Sequence, residues 1–140
     1  MEPVIVRSDA SFKNTVTAGK HTFTVDEPVG AGGTESGPTP YDLLSAALGS
    51  CTSMTLHFIA RRESIPLEGV EVTVTNDRMH AQDCADCVTT AGYIHRFDVK
   101  IRLKGDLTTA QRERLTEIAR RCPVFKTLSS EIRIAETVVE

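Results

Sequence analysis

The chain has no tryptophan, two tyrosines and five phenylalanines in 140 residues. So thin an aromatic supply argues against a surface that stacks nucleic-acid bases. An excess of one charge is missing too, since 16 Lys and Arg stand against 19 Asp and Glu for a net −3. That balance gives neither a polybasic membrane patch nor a nucleic-acid groove. No apolar run near the length of a membrane span stands out, and Glu2, Arg7 and Asp9 interrupt the amino terminus where a secretion signal needs an apolar stretch. A cytoplasmic protein with no nucleic-acid or membrane partner is the expectation. Internal repeats and low-complexity segments are absent as well.

What is present suits a single domain over residues 1–140. The expected order is an amino-terminal hairpin region at about 1–28, a glycine-rich loop at 29–38, a central helix at about 39–64 and a second half at 67–140. Val4–Val6, Asn14–Ala18 and His21–Val25 are strand candidates, with Gly19-Lys20 as the turn between the last two. The glycine-rich loop lacks a following Gly-Lys-Ser/Thr and a preceding buried strand, so it reads as a flexible lead into the helix rather than a phosphate cradle. Val70, Val72 and Val74 alternate with polar residues, as do Phe97, Val99, Ile101 and Leu103 within Tyr93–Lys104. These two strands are expected to pair. Thr108 with Gln111 forms a capping box for a helix to about Arg121, and Ile132–Val139 alternates as a last strand that would complete the sheet.

The central helix is the best-marked element. Thr39 caps it, Pro40 fits its first turn and Asp42 stands where a capping-box acid belongs. Pro66 disfavours helical geometry at Ile65, so the helix should stop near Ser64. Leu44, Ala47, Leu48, Cys51, Met54, Thr55 and Phe58 recur at steps of three or four and predict an inward stripe with Cys51 at its middle. Gly49 weakens a helix by roughly 1 kcal/mol against alanine, which points to close packing beside it.

Four cysteines carry the chemistry: Cys51, Cys84, Cys87 and Cys122. In a reducing compartment such thiols serve catalysis, metal binding or simple packing more often than permanent disulfides. Leu115, Ile118, Ala119 and Cys122 share a stripe on the second helix, so the two helices each present one cysteine inward; the pattern leaves open whether the sulfurs meet. Cys84 and Cys87, with His80 nearby, have the residue types of a zinc site, of a redox or relay dithiol, and of plain loop thiols. His95 shares a strand face with Phe97 and Val99 and reads as a packed histidine. Arg61-Arg62 and Arg120-Arg121 read as complements to helix dipoles.

Two signatures carry a resemblance. Gly37-Pro38-Thr39-Pro40-Tyr41-Asp42-Leu43-Leu44 with Ala46-Ala47-Leu48-Gly49-Ser50-Cys51-Thr52-Ser53-Met54-Thr55 resembles the first cysteine motif of the OsmC and organic hydroperoxide resistance superfamily. Arg121-Cys122-Pro123-Val124-Phe125-Lys126-Thr127-Leu128 is similar to its second. The resemblance covers the chain from about His21 onward. It implies an α+β fold in which an antiparallel sheet accompanies a long central helix and a second helix, in an intertwined homodimer.

By the same resemblance, Cys51 would be the peroxidatic and Cys122 the resolving thiol of a peroxidase acting on organic hydroperoxides, with an external dithiol as reductant and no cofactor. The family pattern supports its thiolate with a glutamate just after the helix-opening proline and with an amino-terminal arginine. Here Tyr41 follows Pro40 and the acid comes later as Asp42, while Arg7 is the one arginine before the helix. Tyr41, Asp42, Arg7, Lys20 and His21 are therefore the candidate supporting groups. Three other functions remain open from the residues: a thiol–disulfide protein using Cys84 and Cys87, a zinc-binding module held by that loop with His80, and a non-catalytic small-molecule binder whose Cys51 lines a pocket.

Overall fold

The computed structural model describes residues 1–139; Glu140, the last residue of the expected domain, lies outside the described residues. The chain divides into two compact units, Met1–Leu44 and the segment from Ser45 onward.

In the first unit, β1 (Val4–Ser8), β2 (Asn14–Ala18) and β3 (His21–Val25) form an antiparallel meander. Val16 pairs with Val6 on one side and Phe23 on the other, and Ala18 opposite His21 leaves Gly19-Lys20 as the expected two-residue turn. Val16 and Val25 are buried. The glycine-rich loop that follows is not the flexible lead expected from its composition. Asp26, only 2% exposed, anchors it: its carboxylate accepts from the backbone N–H groups of Glu27 (2.8 Å), Thr34 (3.1 Å) and Ser36 (3.2 Å) and from the Thr34 hydroxyl (2.7 Å). The Thr34 hydroxyl, helped by these N–H groups and opposed by burial, holds the Asp26 carboxyl well below the usual carboxylate range. A Cβ on Gly33 would collide with the Glu27 carbonyl, so glycine here permits close backbone packing rather than motion.

Helix α1 (Pro40–Arg62) opens in this unit with the expected reciprocal cap. Thr39 N–H donates to Asp42 Oδ2 at 2.9 Å and Asp42 N–H donates to Thr39 Oγ1 at 3.1 Å.

The second unit holds the body of α1, a hairpin of β4 (Gly69–His80) and β5 (Tyr93–Lys104), and helices α2 (Thr109–Ala119) and α3 (Pro123–Leu128). β4 pairs with β5 in register from Gly69 opposite Lys104 to His80 opposite Tyr93. β4 therefore runs past Thr75, where its apolar alternation stops. Cross-strand contacts extend it: Arg96 pairs with Asp77 at 3.1 Å, and the His80 and Tyr93 rings lie 4.5 Å apart. The α2 capping box of Thr108 and Gln111 forms as expected. The helix ends at Ala119, slightly before the expected boundary, and Cys122 starts α3 by accepting the Phe125 N–H on its sulfur at 3.2 Å.

Leu56, Ala60, Leu115, Ile118 and Ala119 make the core of this unit. The buried side of α1 is Leu48, Gly49, Thr52, Leu56 and Ala60, not the stripe expected from the larger side chains. Of that stripe Leu48 alone is buried, whereas Met54 and Phe58 are 71% and 64% exposed. The helix is apolar on more than one side, and the chain packs the side whose small residues allow close approach: a Cβ on Gly49 would lie 3.4 Å from Val74 of β4. Thr52 is tolerated inside because its hydroxyl donates to the Leu48 carbonyl at 2.8 Å.

Two further expectations are corrected. Ile132–Val139 forms no strand among the described residues, and Ile134 and Val138 are 81% and 98% exposed. Alternation prepares a strand, but a ladder also needs an edge to pair with. The strands accordingly lie in one three-stranded and one two-stranded sheet rather than a single completed sheet. Helix α1, moreover, is long and apolar enough by length and composition to cross a membrane, with a window of mean hydropathy 1.4. Serines, threonines and glycine scattered along it disguise that average as a broken run. Core helices of soluble proteins pass the same test.

Candidate active site

Cys51 lies half-buried on α1, on the wall of an open groove of about 790 Å³. Met54, Phe58, Ile118 and Val124 give the groove an apolar lining. Its position follows from helix geometry: Thr52 points into the core, and Cys51, about 100° round the axis, faces the groove. Cys122 is completely buried at the junction of α2 and α3, where the Thr52 hydroxyl lies 3.7 Å from its sulfur. Both cysteines are free thiols. The fold thus brings Cys122 against the residue next to Cys51.

Three arginines join this apolar groove: Arg62 from the end of α1, Arg114 from α2 and Arg121 just beyond α2. Arg114 grips Glu63 with Nε at 3.1 Å from both carboxylate oxygens and Nη2 at 2.7 Å from one. That hydrogen-bonded contact lowers the Glu63 carboxyl and raises the Arg114 guanidinium, in each case against a smaller desolvation cost. Arg121 Nη2 bonds Glu117 at 2.7 Å. Reading Arg62 and Arg121 only as helix-end charges missed their place in the groove. The available signal was the spacing Arg114, Ile118, Arg121, which puts both arginines on the stripe of an inward residue.

The groups expected to support a Cys51 thiolate belong to the first unit. Arg7 lies exposed in β1, Lys20 is in the β2–β3 turn and His21 opens β3; both are exposed. Tyr41 is 53% exposed, and the Asp42 carboxylate is engaged in the helix cap.

The β4–β5 connection carries a second cysteine chemistry. Cys84 and Cys87 are joined by a disulfide, with Cα atoms 5.4 Å apart. Cys84, Asp86 and Cys87 place one donor atom each within 4.8 Å of one another; His80 is not part of that group and stacks on Tyr93 instead. A zinc ion would need the two thiolates that the disulfide ties up. His95 is exposed rather than packed inside, with its ring 5.0 Å from Phe97 and its Nε2 3.2 Å from Asn76 Oδ1. Asn76 in turn donates through Nδ2 to Ser45 Oγ at 2.8 Å, linking the hairpin to α1.

Residues 33–137 match the description of the OsmC-like protein family. No curated protein sequence matches the chain. Among solved structures, it is similar to a Psychrobacter arcticus protein (22% identity, 91% of this chain and 88% of that one, TM-score 0.71). It is also similar to an OsmC-like protein from Mycoplasma pneumoniae (18%, 91% and 86%, TM-score 0.72) and to the organic hydroperoxide resistance protein OhrB of Bacillus subtilis (22%, 89% and 87%, TM-score 0.62). At these identities the structures speak for the fold, and the match over three-quarters of the chain for the family: this protein belongs to the OsmC-like family.

Proposed function

We propose that the protein is a cytoplasmic thiol peroxidase that reduces organic hydroperoxides to alcohols in an oxidative stress response. The observation that supports this reading is that the free thiol Cys51 faces an apolar groove while the second free thiol, Cys122, is packed against Thr52, the residue next to Cys51. The Cys51 thiolate attacks the terminal peroxide oxygen; the O–O bond breaks, the alkoxide leaves and takes a proton, and Cys51 becomes a sulfenic acid. Cys122 then attacks the Cys51 sulfur, water departs, and a disulfide forms. An external dithiol returns both thiols, and no cofactor takes part. The apolar lining favours an alkyl or lipid hydroperoxide, and Arg62 adds positive charge to a groove whose other two arginines, Arg114 and Arg121, are paired with Glu63 and Glu117.

The working state in this reading is a homodimer. Met54 and Phe58 on α1 and the alternating segment from Ile132 to Val139 are exposed apolar surface that a second copy would cover. The test is consumption of cumene hydroperoxide with a dithiol reductant by wild type, Cys51→Ser and Cys122→Ser. Turnover abolished by Cys51→Ser, with a sulfenic acid trapped in Cys122→Ser, supports the reading. Wild-type turnover no faster than buffer rejects it.

A further inference from the structure

We propose that the Cys84–Cys87 disulfide is a second redox centre, which exchanges two electrons with an external dithiol protein independently of Cys51 and Cys122. Three observations carry it. The bond has little structural work to do, because the ends of its loop are already held by the pairing of His80 with Tyr93 and by the Ala81 N–H to Gly92 carbonyl bond of 2.8 Å. It spans only three positions of sequence, and the stabilisation from a disulfide grows with the loop it closes. Its sulfurs are also within reach: both cysteines are half-buried on the wall of an open cavity of about 590 Å³, which Phe97, Phe125 and Leu128 line with apolar surface.

A fourth observation gives the exchange a direction. Asp86 Oδ1 lies 3.4 Å from Cys84 Sγ. A carboxylate there disfavours a thiolate on Cys84, which leaves Cys87 as the better leaving group. The partner's thiolate therefore attacks Cys84 Sγ, the Cys84–Cys87 bond breaks, and Cys87 leaves as a thiolate and takes a proton. The partner's second thiol then loses its proton and attacks the partner sulfur of the mixed disulfide, releasing Cys84, which is protonated in turn. The pair ends reduced by two electrons and the partner ends as a disulfide.

The test uses Cys51→Ser/Cys122→Ser, which retains this pair alone, in buffers of graded reduced and oxidised dithiothreitol, with thiols counted by alkylation and mass. Two thiols should appear at Cys84 and Cys87 in the folded protein, disappear when oxidant is restored, and shift the Tm by less than about 4 °C. A thioredoxin-type protein lacking its second cysteine should be captured on Cys84 at least about fivefold more than on Cys87. The proposal is overturned if the bond resists reduction until denaturant is added, if reduction lowers the Tm by more than that amount, or if the reduced pair takes up one equivalent of zinc that blocks reoxidation. Should the double variant not fold, peptide mapping of the wild type gives the same thiol count and the same site of capture. Peroxide turnover measured separately in Cys84→Ser/Cys87→Ser keeps a failure here distinct from a failure at Cys51.

Discussion

The hydroxyl of Thr52 lies 3.7 Å from the sulfur of Cys122, seventy positions further along the chain. That contact ties the helix carrying Cys51 to the helix start carrying the second thiol, with both ends of the tie in the core. Thr52→Val keeps the shape and loses a hydroxyl already served by the Leu48 carbonyl, so unfolding should change by no more than about 1 kcal/mol. Thr52→Leu overfills the junction and should cost about 1–3 kcal/mol. Thermal unfolding of the two variants separates the effects, and equal losses would mean that the hydroxyl, not the packing, holds the junction.

The two thiols differ in access, Cys51 being half-buried and Cys122 fully buried. Alkylation of the native protein should modify Cys51 at least about tenfold faster, because reaching Cys122 requires local opening that costs more than about 1.4 kcal/mol. Timed labelling followed by peptide mass measurement reads the ratio directly. Equal rates would place Cys122 at the surface.

Asp26 gives a pH prediction. Its folded pKa is lowered, so its contribution is fully present above its ordinary value near 3.8 and is lost as pH falls from there toward the folded pKa. Asp26→Asn should lower the Tm by several degrees at pH 7, and the gap to wild type should narrow below about pH 3.8. A gap that stays constant on acidification would show that the carboxylate charge is not what holds the loop.

Two positions on α1 should respond in opposite ways. Leu56, fully buried among Leu115 and Ile118, should cost about 2–5 kcal/mol when changed to alanine, seen in denaturant unfolding. Met54→Asp, on the exposed side, should leave the helix content intact and lower the mass seen in sedimentation to that of one chain. An unchanged sedimentation coefficient would remove this side of α1 from the proposed dimer contact.

Local chemistry was legible in the amino-acid order wherever it is set by near neighbours. Thr39 with Asp42 and Thr108 with Gln111 announce their helices because a cap is completed within one turn, and the alternation from Tyr93 to Lys104 reads directly as β5. The family and its two cysteine motifs were readable for the same reason, since each is a contiguous run of residues.

Tertiary structure decided which apolar side of α1 is packed. Met54 and Phe58 outweigh Thr52 and Ala60 in hydrophobicity, yet the smaller pair is buried, because close approach between elements is a property of two surfaces and hydrophobicity of one. It also decided that Ile132–Val139 forms no strand among the described residues, that Cys84 and Cys87 join, and that Arg62, Arg114 and Arg121 gather around the groove of Cys51. Each of these depends on a partner distant in sequence or on a local geometry that spacing leaves free. Residue order by itself determined the capped helices, the clearly alternating strands and the chemical types available; only folding determined which strands find an edge and which of those groups meet.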